Sequence, residues 1–137
     1  KASDVAVAVA IEGGLFTPKK RARVIGRLRA EGSPLLERAE AMTNVLPPRL
    51  GGSMALLASA RGTDAIFLAH TGLGGATEYR SILRGGLVGR TIWVKLWRIP
   101  ADEIPTTNEG RIDWLFEQWA ALDRWVAENN PATKGTS

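Results

Sequence analysis

The apolar positions of this chain change period several times, and each change predicts an element. Val5, Val7, Val9 and Ile11 alternate with small alanines, which reads as a strand buried on both faces. Glu12, Gly13 and Gly14 then break the run, and Thr17 and Pro18 predict a helix that starts at Pro18, with Thr17 as its cap and proline where no amide hydrogen is needed. Glu31-Gly32-Ser33-Pro34 reads as a stop, a turn and a restart, with Ser33 as the cap of a short second helix carrying Leu35, Leu36, Ala39 and Met42. The segment from Asn44 to Leu46 runs extended into Pro47 and Pro48. Gly51 and Gly52 are expected to allow close backbone approach, followed by an Ala/Leu-rich helix over Ser53 to Ala60.

Asp64 to Ala69 predicts a second buried strand, ending at His70. Thr71 to Gly89 contains six glycines and reads as loop, with a helical turn possible at Glu78 to Leu83. Arg90 to Arg98 sets Ile92, Val94 and Leu96 against Trp93, Lys95 and Trp97, the period of an edge strand with one face more exposed. Thr106 and Glu109 have the spacing of a capping box for a helix from about Thr107 to Asn129, whose inward stripe is Ile112, Leu115, Phe116, Trp119, Leu122 and Val126. Together these elements predict an α/β fold, a partial mixed sheet with helices on its faces. One domain spans 1–130, and 131–137 is a polar tail.

Composition narrows the chemistry. With 137 residues and 45% apolar content the chain has enough material for a core. It holds no cysteine, which excludes disulfides, thiolate metal sites and cysteine nucleophiles, and its single histidine, His70, cannot build a His-rich metal site. No cofactor or metal is expected. A net charge of +4 and a pI near 10.0 favour an anionic partner. No stretch approaches the roughly 20 apolar residues of a membrane-spanning helix. The chain opens at Lys1 and enters an apolar run by Val5, so it is expected to be the C-terminal part of a longer protein.

The candidate chemistry lies at the first strand-to-helix junction. Glu12 and Gly13 end the strand, and Lys19, Lys20 and Arg23 surround the start of the helix, where free amides and a partial positive charge favour a phosphate. Arg49, held behind two prolines, is placed to reach the same anion, with a loop-stabilising surface role as the plain alternative. The tryptophans are read mainly as packing residues. The sharper alternative sets Trp93 and Trp97, with Lys95 and Arg98, at the interfacial zone of a bilayer.

These residues carry a resemblance. Glu12-Gly13, then Phe16-Thr17-Pro18 with Lys20, Arg21 and Arg23, resembles the Glu-Gly-Thr block of the glycerolipid acyltransferases, the 1-acylglycerol-3-phosphate and lysophospholipid acyltransferase family. Val45-Leu46 with Pro48-Arg49 and Gly52 is similar to that family's later proline block, and Asp64 to Phe67 to its following strand. The pattern Trp97-Arg98-Ile99-Pro100, Ile104-Pro105-Thr106, Trp114-Leu115 and Trp119 is also similar. The resemblance runs from Val5 to about Glu128. It implies the C-terminal half of a glycerol-phosphate-acyltransferase-like domain, acting at the cytoplasmic face of a membrane. The reaction it implies is acyl transfer from acyl-CoA or acyl carrier protein to a lysophospholipid.

The implied acceptor-binding residues are Glu12, Gly13, Lys20, Arg23 and Arg49. The family's chemistry uses a His-x-x-x-x-Asp motif that this chain lacks: Gly75 stands five residues after His70, and His70 follows the Glu-Gly block instead of preceding it. No catalytic residue is therefore assigned, His70 is read as a satisfied strand-end histidine, and the chain by itself is expected to be inactive. Gly14 and Leu15 also stand where the family has threonine and then a polar residue. The alternative reading is a non-catalytic basic α/β module that binds an anion, a lipid or a nucleic acid. Cations and aromatics are not interleaved along the basic helix, so nucleic acid is not expected as a partner.

Overall fold

In the computed structural model, residues 16–72, 83–85 and 88–130 are described. The described elements, in order, are α1 (Pro18–Ala30), α2 (Leu36–Glu40), α3 (Leu50–Ser59), β1 (Ala65–Thr71), β2 (Trp93–Ile99), a 3-10 turn (Ala101–Glu103) and α4 (Asn108–Asn129). They make a small mixed α/β fold. β1 and β2 form an antiparallel pair in which Phe67 faces Trp97, Leu68 faces Leu96 and Ala65 faces Ile99. The first predicted strand, Val5 to Ile11, and the polar tail lie outside the described residues.

Local chemistry sets the helix ends. Thr17 is extended and its Oγ1 accepts from the Lys20 amide at 3.1 Å, with Pro18 opening α1. At the other end Gly32 has φ +62°, which lets the Gly32 amide reach the Arg29 carbonyl and the Ser33 amide reach the Leu28 carbonyl. In the short connection that follows, Ser33 Oγ accepts from the Leu35 amide, so this serine caps the turn that leads into α2. α3 begins at Leu50, three residues before the predicted start. Gly51 and Gly52 lie inside it, and a Cβ at either position would meet nothing within 4 Å, so the expected close approach is absent there.

The α4 cap is Thr107, not Thr106. Its Oγ1 accepts from the Gly110 amide, which puts Gly110 at the third helical position and leaves Glu109 out of the predicted capping box. α4 ends where Asn130 turns extended ahead of Pro131.

The core lies between α4 and one face of the hairpin. Leu115, Phe116, Trp119, Leu122 and Val126 are buried as predicted, Ile112 of the same stripe is half-buried, and Trp114, outside the predicted stripe, is buried with them. Phe67 stacks on Trp97 with centroids 5.3 Å apart and meets Trp114 and Trp119 edge-on at 5.5 and 6.0 Å. Met42 and Val45 enter the same cluster from the connection after α2. Polar links fasten that connection to α4. Asp123, buried, accepts from the Asn44 and Val45 amides at 2.7 and 3.2 Å, and Trp119 Nε1 donates to the Leu46 carbonyl at 3.1 Å.

The opposite face of the hairpin corrects the expectation of helices on both faces. Ile66, Leu68, Val94 and Leu96 point away from α4 and are 56–70% exposed. β1 is therefore buried on one side of its pleat only, among the described residues.

Candidate functional site

Of the sequence-predicted site residues, Glu12 and Gly13 lie outside the described residues, as do Gly14 and Leu15. The other three fall on two helix starts. Lys20 sits in the first turn of α1, half-buried, with its amide tied to Thr17 Oγ1. Arg23 follows three residues later, exposed, and neighbours Lys20 on the helix surface. Arg49 caps α3 from the backbone: it is extended, and its carbonyl accepts from Ser53 Oγ at 2.8 Å. Its side chain is exposed and makes no cap bond, while Pro47 and Pro48 before it are buried. The fixed backbone expected from those prolines is present, and the Arg49 guanidinium is left to solvent.

α1 divides its cations by face. Arg21 is structural: Nε donates to the Met42 carbonyl at 2.7 Å and a terminal nitrogen donates to the Glu40 carbonyl at 2.8 Å. Arg29 pairs with the Glu40 carboxylate at 2.5 Å. With Ile25, which is buried, these two arginines form the side of α1 that meets α2. Lys19, Arg23 and Arg27 are exposed and make no ion pair among the described residues. α1 contains no acidic residue. Its N-terminal end therefore combines free backbone amides, a capped first turn and unneutralised cations, an arrangement that attracts phosphate.

No family model, curated protein or solved structure matches this chain.

His70 departs from its sequence reading. It lies on the outer face of β1 opposite Val94, exposed, with no side-chain hydrogen bond among the described residues, so it is not a satisfied strand-end histidine. Trp97 stacks in the core and its Nε1 donates to Gln118 at 3.0 Å, whereas Arg98 points to the other face of the strand and pairs with Asp64. Trp93, Lys95 and Trp97 share the face of β2 turned towards α4, as the alternation predicts, and only Arg98 lies on the other; the stacking of Trp97 on Phe67 favours its packing role. Sequence reasoning missed a cleft of about 270 Å³ between β2 and α4, lined by Lys95, Trp97, Ala121, Leu122 and Trp125. Lys95 Nζ lies 5.6 Å from the Trp97 ring centroid at that cleft. The spacing that could have found it is the alternation of Lys95 with Trp97 on the strand face turned towards α4.

Among the described residues no group of His, Asp and Glu is arranged to hold a metal ion, and no helix is long and apolar enough to cross a membrane.

Proposed function

We propose that this chain is the acceptor-binding half of a glycerolipid acyltransferase, joined in the longer protein to an upstream half that carries the His-x-x-x-x-Asp pair. The observation that carries the reading is the start of α1. There a Thr17-capped, proline-led helix with no acidic residue sets Lys20 and Arg23 side by side, within the block whose sequence resembles that family. Lys20 and Arg23 hold the phosphate of a lysophospholipid by charge-assisted hydrogen bonds, Glu12 and Gly13 border the glycerol, and Arg49 adds a further cation.

In the proposed reaction the acceptor hydroxyl oxygen attacks the thioester carbonyl of acyl-CoA or acyl carrier protein. The upstream histidine takes the hydroxyl proton, the carbon–sulfur bond breaks, and the thiol leaves carrying a proton. An ester of the glycerol replaces the thioester. Every residue named in this chain binds or orients, and none exchanges a proton with the reacting atoms.

The test uses the longer protein with lysophosphatidate and an acyl-CoA. Acyl transfer is expected, and Lys20→Ala or Arg23→Ala is expected to raise the acceptor KM about tenfold each, with a smaller effect on kcat, because one charge-assisted contact is lost from binding. The 137-residue chain alone is expected to transfer nothing. A longer protein without the His-x-x-x-x-Asp pair, or one that has the pair and leaves lysophosphatidate unacylated, overturns the reading.

A further inference from the structure

α1 carries two stripes of the same spacing. Arg21, Ile25 and Arg29, four residues apart, are held against α2 and the connection after it. Lys19, Arg23 and Arg27, also four apart, fall about 160° away at roughly 100° per residue, on the side of the helix turned from the fold. All three are exposed and without an ion pair among the described residues. Ala22, Gly26 and Ala30 line one flank of this row and Lys20 stands on the other, so no bulky apolar side chain rises above the cations. Three charges therefore stand in a row about 12 Å long on a nearly flat face. The first acidic residue beyond the helix, Glu31, makes no ion pair with Arg27.

We infer that the Lys19–Arg23–Arg27 face docks α1 onto the headgroups of an anionic phospholipid bilayer. The choice of a bilayer over another polyanion rests on the acyl-transfer reading and on the composition of the face. It carries no aromatic side chain to stack on a base and no amide or hydroxyl side chain to read one. Because the stripe bearing Ile25 is held against α2, α1 cannot turn an apolar side into the acyl region as an inserting amphipathic helix does. Attachment at this face is electrostatic, peripheral and sensitive to salt.

The experiment measures partitioning of the 137-residue chain onto phosphatidylserine/phosphatidylcholine vesicles that contain no lysophospholipid and no thioester. Binding is expected to require phosphatidylserine and to be lost at high salt. Each cation at an anionic surface contributes about fivefold, so the triple variant Lys19→Gln, Arg23→Gln, Arg27→Gln is expected to lose on the order of a hundredfold. A charge-matched control, Arg61→Gln, Arg90→Gln, Arg124→Gln, removes three other exposed arginines and is expected to retain most of the binding. Equal circular dichroism spectra and melting temperatures establish that both variants are folded.

Equal losses in the two triple variants overturn the inference, since net charge alone then explains the binding. So does unchanged binding in the first variant, or tighter binding of the unsubstituted chain to a DNA oligonucleotide than to the vesicles at the same salt. Failure of acyl transfer in the longer protein leaves the vesicle result untouched, and the two readings fail separately.

Discussion

One carboxylate, Asp64, closes the hairpin at its open end. Oδ1 accepts from the Ala101 amide at 2.8 Å, and Oδ2 accepts from Arg98, with Nε at 2.6 Å, so the start of β1 is tied to the end of β2 and the turn after it. The Ala101 amide first, and then the Arg98 guanidinium, hold the Asp64 carboxyl below its ordinary value of 3.8. A folded-state value below the unfolded one means that the stabilisation is present above about pH 4 and is lost as pH falls through the lower folded value. The urea midpoint of the unsubstituted chain is therefore expected to fall more steeply below about pH 4 than that of Asp64→Asn. Parallel pH profiles of the two midpoints would refute this role. Two glycines give opposite expectations at the same scale. Gly72, at φ +105°, follows β1, and a Cβ added there would collide with the Thr91 carbonyl oxygen. Gly72→Ala is expected to cost about 1–3 kcal/mol in chemical denaturation. Gly26 is helical and exposed, with open space at its Cβ position, and Gly26→Ala is expected to stabilise by about 0.5–1 kcal/mol.

At the scale of the element, the hairpin has one committed face and one open face, and adjacent residues of β1 measure the difference. Phe67 touches Trp97, Trp114 and Trp119, whereas Leu68 points the other way and is more than half exposed. Phe67→Ala is expected to cost about 3–5 kcal/mol of unfolding free energy, and Leu68→Thr to stay within about 0.5 kcal/mol of the parent. A large loss at Leu68 would mean that the outer face is covered in solution. This contrast also marks what the residues reveal by themselves. The Thr17-Pro18 start of α1 and the inward stripe of α4 were legible because capping and a 3.6-residue period are properties of a few adjacent residues. The face of β1 that packs was not, because Ala65 to Ala69 is apolar on both sides and only the position of α4 selects Phe67 over Leu68. The candidate site was legible in the same partial way. Lys20 and Arg23 stand at a capped helix start as expected, but the use of Arg21 and Arg29 as ties to α2 depends on carbonyl and carboxylate partners 11 to 21 residues away.

At the scale of the molecule, α4 is the element to which both the hairpin and the connection after α2 are fastened. All five tryptophans, Trp93, Trp97, Trp114, Trp119 and Trp125, lie in the hairpin or α4, while α1, α2 and α3 precede them. The connection after α2 is joined to α4 by Asp123 under Asn44 and Val45 and by Trp119 at the Leu46 carbonyl, and α2 itself by Arg38 paired with Asp113 at 2.6 Å. The Arg38 pair is partly exposed and adds little. Asp123 is buried, and its removal leaves two amide donors without their acceptor, which costs roughly 2–4 kcal/mol. In urea the unsubstituted chain is expected to unfold in one transition, with tryptophan fluorescence and far-ultraviolet circular dichroism giving the same midpoint. Asp123→Ala is expected to separate the probes: circular dichroism loses amplitude first as α1 and α2 come away, and fluorescence follows as α4 and the hairpin unfold. Coincident midpoints in Asp123→Ala, merely shifted to lower urea, would instead make the whole described fold a single cooperative unit with Met42 and Val45 as the dominant tie. The two outcomes distinguish attachment through one buried carboxylate from attachment through the apolar cluster.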